Sequence, residues 1–85
     1  MKVYIVQYLS DPTDDTSSSE VLGVYKTKEE AQSVMRNEFN TLKDGYEITE
    51  GEIKSFDVTL YEDDMTCTIC HYGSYYEWNI YEFEI

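Results

Sequence analysis

The stretch covering residues 56–85 limits the fold more than any other part of the chain. Two turn signals, Asp63-Asp64 and Gly73-Ser74, divide it into three segments of alternating apolar and polar residues. Gly73 can supply the positive φ that a type II′ turn needs at its first central position. Two-residue turns at these places pair Leu60 with Cys67 and Cys67 with Ile80. They also pair Val58 with Ile69 and Ile69 with Trp78, and then Phe56 with His71 and His71 with Tyr76. Side chains alternate between the faces of a strand, so all nine residues fall on one side. The other side receives Asp57, Thr59, Tyr61, Thr66, Thr68, Cys70, Tyr72, Tyr75, Glu77, Asn79 and Tyr81. Two independent turns yield one apolar face, and a one-residue slip would destroy it. The stretch is therefore expected to be a three-stranded antiparallel meander. After Ile80 the phase reverses, with Tyr81, Phe83 and Ile85 apolar, which predicts a bulge or sharp twist near Ile80-Tyr81.

The upstream half supplies what the meander needs. Residues 2–9 are apolar at almost every position, the pattern of a strand inside a sheet. Residues 21–25 predict a second strand, its hairpin partner, after a polar loop over residues 10–20 that contains an Asp11-Pro12 turn. Thr27-Lys28-Glu29-Glu30 has the form of a capping box. Ala31, Val34, Met35, Phe39 and Leu42 follow at helical spacing, so a helix over residues 28–42 should cover the apolar face, with Gly45 as its stop. Residues 46–54 read as a connection with strand character near 46–48. The expected architecture is α+β, order ββαβββ, with one helix packed on an antiparallel sheet. Its 85 residues make a single domain with a modest core.

Three segments of this design also carry a resemblance. Val3-Tyr4-Ile5-Val6, then Val21-Leu22-Gly23-Val24-Tyr25, then Thr27-Lys28-Glu29-Glu30-Ala31 resemble the opening of small uncharacterised proteins of phages and Gram-positive bacteria. The ending Tyr81-Glu82-Phe83-Glu84-Ile85 is similar to theirs. The resemblance implies a phage or mobile-element origin. Size, acidity and that origin look like those of anti-CRISPR and other anti-defence inhibitors.

Formal net charge is −12, from 18 acidic and 6 basic side chains. Nucleic acids and anionic membranes are bound through basic surfaces, so direct contact with either is not expected. A basic protein is the expected partner, for example a nucleic-acid-binding nuclease, because rows of carboxylates attract the Arg and Lys clusters that hold phosphates. Glu62, Asp63 and Asp64 crowd one hairpin tip. Tyr61, Tyr72, Tyr75 and Tyr81 project from the outer face beside Asp57 and Glu77, and tyrosine gives contact area at small entropic cost. These nine residues form the expected partner-binding site. A second reading makes the tyrosine face a self-interface of a dimerising protein. No apolar run approaches the roughly 18 residues of a membrane span. Two cysteines without a secretory leader suggest a reducing cytoplasm.

Catalytic and cofactor chemistry finds little support, and no enzyme activity or cofactor is expected. Cys67-Thr68-Ile69-Cys70-His71 matches the haem-attachment pattern C-x-x-C-H. On a strand, however, Cys67 and His71 face one way and Cys70 the other. The same three residues fall short of the four ligands of a structural zinc site. His71 is read as a half-buried packing residue, since neither a nucleophile nor an orienting acid can be named beside it. Asp11, Asp14, Asp15 and Glu20 do not have calcium-loop spacing and are read as a solvated acidic loop.

Overall fold

The computed structural model describes residues 1–10, 18–53 and 58–85. The elements are β1 (Lys2–Ser10), β2 (Ser18–Tyr25), α1 (Lys28–Gly45), α2 (Glu50–Ile53), β3 (Val58–Glu62), β4 (Thr66–His71) and β5 (Ser74–Glu84). The strands form one antiparallel sheet in the order β2-β1-β5-β4-β3. The α+β architecture and the C-terminal meander are as expected. The nearly continuous apolar run of β1 fits its interior position, and β2 is its hairpin partner. Asp57, Phe56 with its pairing to His71, and the acidic loop residues Asp11, Asp14 and Asp15 lie outside the described residues.

The apolar face of the meander is as predicted, but its register is not. Cys67 pairs with Glu62 and Trp78, Ile69 with Leu60 and Tyr76, and His71 with Val58 and Ser74. Relative to the expectation, β4 is displaced by two residues against both neighbours. A shift of two keeps every side chain on its face, so hydrophobic alternation cannot detect it. Turn chemistry decides the matter. The Asp63 carboxylate accepts hydrogen bonds from the Met65 and Thr66 backbone N–H groups at 2.8 and 2.7 Å, and the Asp63 N–H donates to the Thr66 carbonyl at 2.8 Å. Asp63 thus closes the loop from outside it, and the turn is centred on Asp64-Met65. The second turn is centred on Tyr72-Gly73, both with positive φ (48° and 93°), the signature of type I′.

The predicted bulge near Ile80-Tyr81 is absent. β5 runs against β1 in unbroken register from the Lys2–Glu84 pair to the Ser10–Tyr76 pair. Tyr81 and Phe83 therefore lie on the outer side of an unbroken strand, which ends at Glu84. The irregularity sits between β1 and β2, where Val6 pairs with Gly23 and Gln7 with Val21. Leu22 is the extra residue, and the bulge lets it pack against the core. Gly23 leaves room for the Tyr25 ring, which a Cβ at this position would meet.

Thr27 caps α1, its hydroxyl oxygen accepting from the Glu30 N–H at 3.2 Å. The helix runs through Gly45, a turn beyond the expected end, and the left-handed residue is Glu47 (φ 51°) rather than glycine. No strand forms at residues 46–48. A second capping box, Thr49 with Glu52, starts the short α2: the Glu52 N–H donates to Thr49 Oγ1 at 3.2 Å and the Thr49 N–H to Glu52 Oε1 at 3.3 Å. The region expected to be a plain connection therefore contains a helix start, marked in the sequence by the Thr49-Glu50-Gly51-Glu52 spacing. α1 buries Ala31, Met35 and Phe39 against Val6, Cys67, Ile69, Trp78 and Ile80. Val34 and Leu42 flank this stripe, half-buried.

Candidate protein-binding face

One long helix covers one side of a five-stranded sheet. Among the described residues, the other side stays open. Its rows follow from the pairing: Val24, Ile5 and Tyr81; Val3 and Phe83; Val21, Gln7, Asn79 and Thr66; Leu9, Glu77, Thr68 and Tyr61; Tyr75, Cys70 and Thr59. The face has two halves. Val3, Ile5, Val24, Tyr81 and Phe83 make an uncharged apolar half, where Val24 is 59% and Phe83 49% exposed. Isolated exposed apolar residues are ordinary, whereas contiguous ones mark interaction surfaces.

The other half is a polar ladder along β5. The Tyr75 hydroxyl donates to Glu77 Oε1 at 2.8 Å, Asn79 Nδ2 donates to Glu77 Oε2 at 2.8 Å, and Thr66 Oγ1 donates to Asn79 Oδ1 at 3.1 Å. Partial burial, then the hydrogen bond to Glu77, raises the Tyr75 phenol above its ordinary pKa.

Of the residues expected to bind a partner, Tyr61, Tyr75, Glu77 and Tyr81 share the open face. Tyr72 does not lie in its rows. It occupies the type I′ turn, its hydroxyl donating to Glu52 Oε2 at 3.1 Å and its ring edge-on to His71 at 4.7 Å. His71 belongs to the helix-covered side, stacked on Tyr46 at 4.2 Å, with Nε2 3.8 Å from Glu52 Oε2. The Tyr46 and Tyr76 hydroxyls meet at 2.6 Å. Hydrogen bonds from Thr49 and then Tyr72 hold the Glu52 carboxyl below its usual pKa. These contacts pin α2 and the β4–β5 turn to the sheet, and they offset the cost of a left-handed tyrosine.

The hairpin tip is engaged within the fold as well. Arg36 Nε lies 3.2 Å from Glu62 Oε1, an ion-pair contact without hydrogen-bond alignment, and its Nη2 donates to Asp64 Oδ1 at 3.3 Å. Gln32 donates to the Asp64 carbonyl at 3.0 Å. The Tyr61 hydroxyl donates to Asp63 Oδ2 at 2.7 Å. This bond and the two backbone N–H groups lower the Asp63 pKa, and the same bond to the Asp63 carboxylate raises that of Tyr61. Because the folded pKa of Asp63 is depressed, its stabilising contribution is complete above the ordinary carboxylate range. It is lost as pH falls through the lower folded value. A carbon-detected NMR titration should place the Asp63 inflection below that of an unstructured aspartate; an inflection at or above it would contradict the turn geometry.

The sequence reading missed Val3, Ile5, Val21, Val24 and Phe83. The signal was indirect: one amphipathic helix cannot cover both faces of so wide a sheet.

Cys67 is fully buried, and burial pushes its thiol up to about 11. Cys70 projects from the opposite face beside Tyr75 and Thr59. Replacing Cys67 by Ser should lower the melting temperature, since a buried hydroxyl needs a partner, while Cys70→Ala should leave it within a few degrees. Equal losses would contradict this placement. Among the described residues, no three His, Cys, Asp or Glu side chains gather to hold a metal ion, and no helix is long and apolar enough to cross a membrane.

No curated protein and no solved structure matches the chain. One family model, described as a domain of unknown function, matches residues 1–69, from β1 into β4. That match takes in most of the sequence, and the chain belongs to this family, DUF7336.

Proposed function

We propose that the chain is a small non-enzymatic binding protein that sets its open sheet face against a basic protein surface. A phage or mobile-element inhibitor of the anti-CRISPR kind would act this way, occupying the nucleic-acid-binding surface of a host defence protein. The observation that carries this reading is the open face itself, which joins an apolar half to a polar half carrying Glu77, on a chain of net charge −12. Apolar contact at the centre would hold the partner. The surrounding carboxylates would steer it and select for basic surfaces. Free thiols at Cys67 and Cys70 fit work in a reducing cytoplasm.

Salt is the test. Exposed charge pairs are screened over about 8 Å at physiological ionic strength, so the association rate with a basic partner should fall as salt rises. The protein should also compete with DNA or RNA for that partner. Salt-independent association without such competition would refute nucleic-acid mimicry.

A second reading has its own support in the uncharged apolar half. Two copies could meet there without opposing carboxylates, giving a dimer. Sedimentation showing a dimer that persists at high salt and is lost in a Phe83→Ala variant would favour it.

A further inference from the structure

On the helix-covered side, a groove of about 340 Å³ opens between α1 and the β1–β2 hairpin. Tyr8 and Trp78, with ring centroids 5.2 Å apart, and Leu22 and Leu42 give it an aromatic and aliphatic lining. Glu20 from β2 and Glu38 from α1 add a carboxylate from each wall. Both are exposed, and among the described residues neither is in an ion pair. Glu20 stands opposite Tyr8 in the β1–β2 register. Glu38, Thr41 and Leu42, spaced by three and four residues, share one strip of α1. Among the described residues, no basic side chain lines the groove.

We propose that this groove receives an arginine side chain of a protein partner. The chemistry favours arginine over a small anion or a neutral ligand. A carboxylate from each wall makes the groove attractive to a cation and unfavourable to an anion. A guanidinium stacks on aromatic rings and offers planar, forked donors to carboxylates, and it sheds water more readily than an ammonium. Its aliphatic stem can lie along Leu22 and Leu42. The groove lies on the face opposite the open one, so it can hold a cation even if the open face binds nothing.

Trp78 is the only tryptophan in the chain, so the site carries its own reporter. Titrating the intact protein with acetyl-Gly-Arg-Gly-amide should shift Trp78 fluorescence and its indole N–H resonance saturably. The same peptide with citrulline for arginine should do neither. Glu20→Gln combined with Glu38→Gln, both exposed positions, should weaken binding about two- to thirty-fold with the melting temperature little changed. Three results would each overturn the assignment: no saturable shift with the arginine peptide, equal binding of the citrulline peptide, or unchanged affinity in the double variant.

Discussion

Trp78→Ala is expected to remove most of the stability of the fold. Trp78 is 2% exposed on the central strand, in the row Tyr8, Trp78, Cys67. The Phe39 ring meets it edge-on at 5.9 Å and Tyr8 packs at 5.2 Å, so it joins α1, β1 and β4 at one point. Truncating a buried aromatic costs about 3–5 kcal/mol. A domain of this size has little more than that to lose. The melting temperature should fall by on the order of 15 °C or more. Trp78→Phe should cost much less. It keeps a ring against Phe39 and removes an indole N–H that is buried without a hydrogen-bond partner among the described residues. Equal melting of parent and Trp78→Ala would contradict the central position of this residue.

The second large effect is expected at the open face and concerns affinity. Tyr81 and Phe83 stand on the outer side of β5, at 44% and 49% exposure, beside Ile5 and Val3. Exposed positions tolerate substitution, so the double variant Tyr81→Ala, Phe83→Ala should still fold. Central aromatic contacts are commonly worth 2 kcal/mol or more in an interface, which corresponds to about a thirty-fold loss of affinity, mainly through faster dissociation. Tyr72→Ala is the control. Its hydroxyl and ring are turned to Glu52 and His71, so it should alter the β4–β5 turn and α2 but leave partner affinity within a few-fold of the parent. A larger loss from Tyr72→Ala than from the double variant would move the contact surface to the α2 end.

The fold was legible wherever one face had to be buried. Alternation in residues 58–80 identified the covered face, and Thr27 with Glu30 and the Ala31, Met35, Phe39 stripe identified the helix that covers it. Register was not legible, because a period of two is blind to a two-residue shift. The deciding contacts are an aspartate side chain on two backbone N–H groups and a tyrosine held left-handed by Glu52 and His71. Neither leaves a mark in hydropathy.

The candidate site was legible in part. Tyr61, Tyr75, Glu77 and Tyr81 were assigned to the outer face by the same alternation, which a shift of two leaves intact. Tyr72 was misplaced because it sits in the turn, where alternation ends. The apolar half was hidden within β1, whose continuous hydrophobicity looks the same whether both faces or one are covered. The acidic tip looked free in sequence, yet Arg36, twenty-six residues or more upstream, lies against two of its three carboxylates.

Affinity capture from a lysate of the native host, with parent and double variant as paired baits and mass spectrometry as the readout, tests the open face most directly. The account predicts a basic protein that the parent retains at low salt, that rising salt elutes, and that the Tyr81→Ala, Phe83→Ala variant fails to hold. Equal retention of that protein by both baits would contradict it.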